Sequence, residues 1–373
     1  MCLFRSCRVN DGERDKLDDG DLCPEHFSLP RDFLLTITHK CNLRCKMCTQ
    51  YGGTYKNLHS RDLPVSYWIE LIETVSWLRP SFSIFGGEPL LYHNLLPLVN
   101  AIGRTRCTAT ISTNGYLLAD ILDDLVRNRI HIVISIDGPE AIHNSVRKSC
   151  HSFERIWLAL EKLNDMRRRG ADVTWAVNTV LLPENIEYII GFLEEIFPYE
   201  PEWVCLQHLQ WSTPRLHRMM QTVWRLYFRE DFCASLFPRQ CPNIDNDYVK
   251  LLCKNIRRIA NKLSHSERVF FFPNLGPDEV PFYYSNLTHQ QLRPGQSCKK
   301  PWVNPSIEPN GDVLLCVDYP VGNITESDFW SIWRGARARN FRAAASEAGR
   351  FPLCTRCCSF YRQETFDDDD AIQ

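Results

Sequence analysis

Three cysteines stand close together at Cys41, Cys45 and Cys48, in the run Thr38-His39-Lys40-Cys41-Asn42-Leu43-Arg44-Cys45-Lys46-Met47-Cys48. Their spacing is C-x3-C-x2-C. Thiolates this near one another can hold three corners of one cubane iron–sulfur cluster. A fourth nearby cysteine is missing, so one iron would keep an open position for a small molecule. Zinc is the rival occupant, although zinc sites usually show paired cysteine halves and four ligands.

An apolar, β-branched run from Phe33 to Thr38 leads straight into the triplet. Similar runs recur at Phe82–Phe85, Thr108–Ser112, His131–Ile136, Val173–Val180 and Trp203–Leu209. Helical patterns lie between them: Leu63-Pro64 through Trp77, Asn94–Ile102, Leu117–Asn128, Phe153–Arg169 and Glu184–Ile196. Pro64 suits a first helical turn, where its missing N–H costs nothing. Six strand–helix units predict an α/β fold with a parallel sheet covered by helices. Ligands in such folds sit at the carboxyl ends of the strands. Four motifs fall there: the cysteine triplet, Gly86-Gly87-Glu88-Pro89, Ser112-Thr113-Asn114-Gly115 and Ser135-Ile136-Asp137-Gly138-Pro139.

In this order the motifs resemble those of the radical S-adenosylmethionine (SAM) enzymes. The resemblance implies a partial (β/α)6 TIM-like barrel. It also implies a 4Fe–4S cluster on Cys41, Cys45 and Cys48, whose open iron chelates the amino and carboxylate groups of SAM. Reductive cleavage of SAM would then yield a 5′-deoxyadenosyl radical. By the same resemblance Gly86, Gly87 and Glu88 bind the SAM α-ammonium, with Ser112 and Asn114 as further cofactor contacts. Ser135 and Arg147, twelve residues apart, look like the pair that holds the SAM carboxylate and ribose in sulfatase-maturase-like members. An arginine fork suits a carboxylate. Asn178, in Val-Asn-Thr-Val, resembles a position near the ribose, and Leu206 one that flanks adenine. Met47 departs from the usual aromatic residue before the last cluster cysteine; its apolar thioether can fill the same space against adenine.

A second constellation lies towards the C-terminus. Cys298, Gly311, Cys316, Cys354 and Cys357 form C-x12-G-x4-C-x37-C-x2-C. The pattern resembles the SPASM auxiliary domain and, more closely, its shortened form, Twitch. Gly322-Asn323-Ile324 and Ser331-Ile332-Trp333 strengthen that resemblance. Ile307 to Val313 reads as a β-hairpin with an Asn-Gly turn. The resemblance implies one auxiliary 4Fe–4S cluster on Cys298, Cys316, Cys354 and Cys357, with Cys358 a substitute for Cys357 or a spectator. A structural zinc site is the rival there as well.

Composition bounds the rest. The chain has 373 residues, 44% hydrophobic and 24% charged, and a formal net charge of −2. No global field favours nucleic acid or an anionic membrane surface. Neither a signal-peptide core nor a bilayer-length apolar stretch is present. Seventeen cysteines, an odd count, suit metal or cluster ligation in a reducing cytoplasm better than a disulfide scaffold. Cys107, Cys150, Cys233, Cys241 and Cys253 read as small buried residues, and Cys2, Cys7 and Cys23 form no ligand pattern. Cys205 on the sixth strand is a hydrogen-donor candidate, and His208 a proton-acceptor candidate.

The expected organisation is an irregular extension (1–30), the barrel (31–212), a helical and aromatic connecting region (213–295), the auxiliary cluster domain (296–362) and an acidic tail (363–373). The connecting region should hold helices over Arg215–Phe232 and Asp247–Leu263. The expected enzyme takes hydrogen from a C–H bond and either oxidises or epimerises a small molecule such as a sugar, aminocyclitol or nucleoside. Modification of a peptide or protein is the alternative, and a non-catalytic metal-binding module a remote one. About thirty residues precede the first strand, too few for a leader-peptide-binding domain, which favours the small molecule. An external donor such as flavodoxin or ferredoxin would supply the electron; neither nucleic acid nor membrane is an expected partner.

Overall fold

The computed structural model describes residues 29–48, 62–232, 245–262, 268–284, 296–316 and 319–361. Cys2, Cys7, Cys23, Cys233 and Cys241, the chain before residue 29 and the acidic tail lie outside the described residues. The six apolar runs form β1 (Asp32–Thr38), β2 (Ser81–Gly86), β3 (Thr108–Thr113), β4 (His131–Ser135), β5 (Trp175–Leu181) and β6 (Val204–His208). Each pairs in parallel with the next.

Between them run α1 (Val65–Val75), α2 (Leu95–Gly103), α3 (Leu118–Arg127), α4 (Glu140–Arg147), α5 (Ser152–Arg168) and α6 (Ile189–Ile196). Sequence periodicity missed α4, which carries Arg147, because its apolar residues are too sparse to mark a face. The pattern assigned to Glu184–Ile196 becomes helical only at Ile189. Asn185 explains the delay: its side chain accepts from Leu182 N and donates to Val180 O and Asp137 O. An asparagine used this way competes with helix formation.

Alternation along the strands separates two environments. Phe33, Leu35, Phe82, Ile132, Val177 and Leu206 join the main core with the apolar faces of the helices. The opposite, inward face carries Thr36, Ser83, Ser112, Ser135, Asn178 and Gln207, with a small apolar floor of Val133, Ala176, Trp203 and Cys205. The result is a partial TIM-like barrel, apolar outside its wall and lined within by hydroxyls and amides together with apolar side chains that include Phe85, Phe270 and Phe272.

A seventh parallel strand, β7 (Val269–Phe272), pairs with β6. Sequence reading left this run in the connecting region, because consecutive Phe270, Phe271 and Phe272 show no alternation. The two expected helices flank it in the chain as α7 (Pro214–Phe228) and α8 (Asn246–Lys262).

The C-terminal segment extends the same sheet at its other edge. β8 (Ser306–Ile307) pairs in parallel with β1, and β9 (Asp312–Cys316) and β10 (Tyr319–Asn323) continue antiparallel. The strand order is β10-β9-β8-β1-β2-β3-β4-β5-β6-β7. The expected hairpin therefore forms. Its turn closes through Gly311 N to Glu308 O at 2.8 Å, with Gly311 at φ +93°, a conformation that favours glycine. On α7, Phe228 stacks on Phe341 and lies against Tyr319, so this helix packs the connecting region onto the C-terminal unit.

A close backbone approach joins β2 to the loop that follows β1. Gly87 N donates to Thr38 O at 2.8 Å, and Glu88 N to Lys40 O at 2.7 Å. A Cβ on Gly86 would lie 2.4 Å from Thr38 O, and one on Gly87 2.3 Å from Lys40 O. Backbone oxygens cannot swing aside. Gly87→Ala should therefore cost about 1–3 kcal/mol in urea unfolding and lower the iron bound by the reconstituted protein.

Candidate active site

The loop after β1 presents Cys41, Cys45 and Cys48 at the rim, each half-buried. Leu43 N donates to Cys41 Sγ at 3.4 Å, and the Asn114 amide approaches it at 3.9 Å. Arg147 Nη1 lies 3.8 Å from Cys45 Sγ. Burial pushes the Cys41 thiol up to about 11, and the negative charges of Glu88, Cys45 and Cys48 add to the rise against the Leu43 N–H. Cys45 is raised by burial as well, opposed chiefly by Arg147. Coordination to a cationic metal deprotonates such thiols. The chemistry of this donor set fits a cluster.

Glu88 is 1% exposed. Its Oε1 accepts from Thr113 Oγ1 at 2.7 Å and Leu90 N at 3.1 Å, and its Oε2 accepts from Asn114 N at 2.7 Å. Burial still raises its pKa against those bonds. The carboxylate thus ties the ends of β2 and β3 together beneath the rim. Asn114 in turn donates to Asn42 Oδ1 at 2.8 Å, inside the cysteine loop. Gly86 and Gly87 press on that loop's backbone rather than on open space. Met47 packs half-buried against the core.

Arg147 forms a buried pair with Asp137, Nε to Oδ2 at 2.6 Å. Asp137 Oδ1 accepts from Val180 N at 3.0 Å, so β5 anchors the pair. Asp137 N donates to His143 Nδ1 at 3.1 Å, which leaves His143 Nε2 to donate to Ser152 Oγ at 3.1 Å. Asp137 and His143 escaped sequence reading, although Asp137 sits inside a quoted motif directly after a strand. A buried arginine facing a cysteine requires a carboxylate partner, and that requirement was the available signal.

Ser135, Asn178 and Cys205 share one register row across β4, β5 and β6. Asn178 Nδ2 donates to Gln207 Oε1 at 3.0 Å, while its buried Oδ1 lacks a partner among the described residues. That acceptor faces inward with Ser135, as a ribose or other hydroxyl donor would require. Gln207, which orients it, was missed. Leu206 points the other way, into the helix-covered core, and cannot flank adenine. His208 faces outward too. It is fully buried, with Nδ1 3.2 Å from Tyr284 Oη and its ring against Phe271 and Tyr283. That position excludes it as a proton acceptor in the barrel. Cys205 does face inward but is 1% exposed, sealed in the floor with Val133, Ala176 and Trp203.

The four C-terminal cysteines converge. Cys298, Cys316, Cys354 and Cys357 line one pocket with Lys300, Pro301 and Phe351. Cys358 is outside the lining. Cys357 donates to it, which raises Cys357 and lowers Cys358, and Gln210 and Lys300 also favour the Cys358 thiolate. Cys354 is raised well above its ordinary value by burial and by repulsion from Cys298 and Cys316. Among the described residues no three Cys, His, Asp or Glu side chains close on a point tightly enough for a single metal ion. Lys300 was not anticipated, and nothing in the sequence separates it from its neighbour Lys299.

Residues 35–196 match the family model for the Radical SAM superfamily, and 298–358 the SPASM iron–sulfur cluster-binding domain. The chain thus carries a radical SAM domain followed by a SPASM domain. Members of that superfamily bind SAM on a 4Fe–4S cluster, and the SPASM domain carries auxiliary iron–sulfur chemistry, so SAM and both kinds of cluster are cofactors of this protein. Among curated relatives, a GTP 3′,8-cyclase of Desulforamulus reducens is 28% identical over 176 residues, covering 43% of this chain and 54% of that protein. A serine-type anaerobic sulfatase-maturating enzyme of Bacteroides thetaiotaomicron is 28% identical over 165 residues, covering 41% and 39%. The radical SAM chain spans about half the length of the curated relatives it matches. Among solved structures, SuiB of Streptococcus suis aligns with TM-score 0.60 at 16% identity, covering 88% of this chain and 72% of that one. That likeness concerns the fold. Among the described residues no helix is long and apolar enough to cross a membrane.

Two predictions follow from the buried charges. Asp137→Asn strands Arg147 without its partner and should cost about 3–5 kcal/mol in denaturant unfolding. His143 and His208 are fully buried, and burial lowers each from 6.5 to about 3. Both stay neutral in the folded protein, so their full contribution is present above pH 6.5 and is lost as the pH falls towards 3. Each should add up to about 1.4 kcal/mol per pH unit to the acid-side slope of stability. Denaturant midpoints at stepped pH will check this, with a shallower slope expected for His208→Phe.

Proposed function

We propose that this radical SAM enzyme dehydrogenates a neutral, polar small molecule, such as a sugar or aminocyclitol, at a carbon bearing a hydroxyl or amine. The observation that carries this reading is the four-cysteine pocket, set in the C-terminal unit whose strands continue the barrel sheet beside β1. β1 itself ends in the triplet Cys41, Cys45 and Cys48. When bound, SAM and the barrel cluster would supply the acceptor of one substrate hydrogen atom, the auxiliary cluster would take the second electron, and the hydroxyl or amine proton would pass to solvent.

The chain's own residues position and enclose. Arg147, oriented by Asp137, is placed to meet a carboxylate beside Cys45. Ser135 and Asn178 offer a hydroxyl and an unpaired carbonyl oxygen to a ribose. Glu88 and Asn114 hold the rim closed under the cysteine loop, and Met47 offers an apolar contact for adenine. The inward face between Ser83 and Gln207 sets the hydroxyls of Ser83, Ser112 and Ser135 and the amides of Asn178 and Gln207 beside an apolar floor, which suits a neutral polyhydroxylated substrate better than a polyphosphate. Cys205 is sealed in the floor, which favours loss of a second electron over return of hydrogen by a thiol. A small external protein such as flavodoxin or ferredoxin is the proposed electron donor, and the cytoplasm the proposed compartment.

The test is anaerobic. Protein reconstituted with iron and sulfide, given SAM and dithionite, should form 5′-deoxyadenosine, and Cys45→Ala should abolish that formation. Pools of polyols and aminocyclitols should stimulate turnover and yield a product that has lost two hydrogens. Stimulation by peptides alone, or a product of unchanged mass, would overturn the dehydrogenase reading.

A further inference from the structure

Lys300 sits two residues after Cys298, in the short helix α9 (Lys300–Val303), half-buried on the wall of the cysteine pocket. Its Nζ donates to Asn304 O at 2.9 Å, Asn304 Oδ1 at 3.0 Å and Ser306 Oγ at 2.8 Å. Three acceptors match the three donors of an ammonium group, and all three are neutral. Among the described residues no carboxylate forms an ion pair with it. Burial lowers its pKa, and the cysteines around it, Cys357, Cys316, Cys298 and Cys358, oppose that drop; three of these line the same pocket wall. A desolvated cation needs a counter-charge. A cluster held by four thiolates is net negative and becomes more so on reduction, and net charge is one of the levers that set its potential.

We infer that Lys300 is the built-in counter-ion of the auxiliary cluster, poised to raise its reduction potential so that it accepts an electron from the substrate. The inference rests on the auxiliary-cluster reading and extends it to a named residue. The position of the charge follows from the fold. Ser306 opens β8, and β8 pairs with Leu34 and Leu35 of β1, so the strand that joins the two units also anchors the ammonium. Lys299 precedes it but does not line the pocket, and provides a control with the same change in net charge.

The experiment is a redox titration of the full-length chain, followed by electron paramagnetic resonance, in a Cys45→Ala background that removes the barrel cluster. K300M should make the auxiliary cluster at least tenfold harder to reduce at a given potential, a downward shift of about 59 mV or more for one electron. K300R and K299M should stay close to the parent. An unmoved potential in K300M, or an equal shift in K299M, would overturn the inference and leave the auxiliary cluster standing. A parent chain that binds no second cluster would overturn the auxiliary-cluster reading and this inference together. Should K300M fail to load iron, S306A retains the charge while removing one anchor. A smaller downward shift is then expected, and no shift counts against the inference.

Discussion

Everything at the rim depends on one backbone contact, the seating of Gly86-Gly87-Glu88 against Thr38, His39 and Lys40. Two short hydrogen bonds hold it, and the absence of two Cβ atoms permits it. The cysteine loop leaves β1 at this point, so the course of the loop is set by the neighbouring strand. Glu88 then carries the constraint to β3 through Thr113 and Asn114, and Asn114 returns it to Asn42 between the first two cysteines. The ring of contacts sets the course of the cysteine loop through the protein's own residues. Preorganisation of this kind lowers the entropy lost on ligation.

A second constraint runs from β4 to β5. The Asp137–Arg147 pair is expensive to bury and is kept tolerable by the Val180 N–H and by its place against Cys45. The C-terminal unit obeys the same logic with opposite geometry: two cations, Lys300 and Arg350, line the cysteine pocket, and no carboxylate is among its described lining residues. Glu308, at the turn after β8, reaches back towards the barrel: Thr36 Oγ1 donates to it at 3.4 Å, and His39 Nε2 lies 3.6 Å away. The two units are thus joined by sheet pairing and by polar contacts at the mouth of the barrel.

Legibility in the sequence followed the range of the interaction. Strands β1 to β6 could be read because each is a short apolar run bounded by turn residues. β7 could not, because Val269 to Phe272 lack alternation and acquire strand identity only by pairing with β6. Arg147 was singled out through its distance from Ser135, but the Asp137 that orients it lies ten residues away across a turn. For Leu206 and His208 the error was one of strand phase. A single-residue step on β6 sends a side chain to the opposite face, and both lie on the face opposite Cys205 and Gln207.

By itself the sequence determined the chemistry: three thiols at close spacing, a glycine pair before a glutamate, and a second cysteine set with a hairpin between its members. Those are local properties, set by residue type and separation along the chain. Only the tertiary structure decided which cysteine of the Cys357–Cys358 pair faces the pocket, that Cys205 is sealed, and that Lys300 rather than Lys299 meets the thiols. Each of these depends on which way a side chain points once strands from distant parts of the chain have paired. Orientation and desolvation are products of packing, and packing is not encoded in spacing.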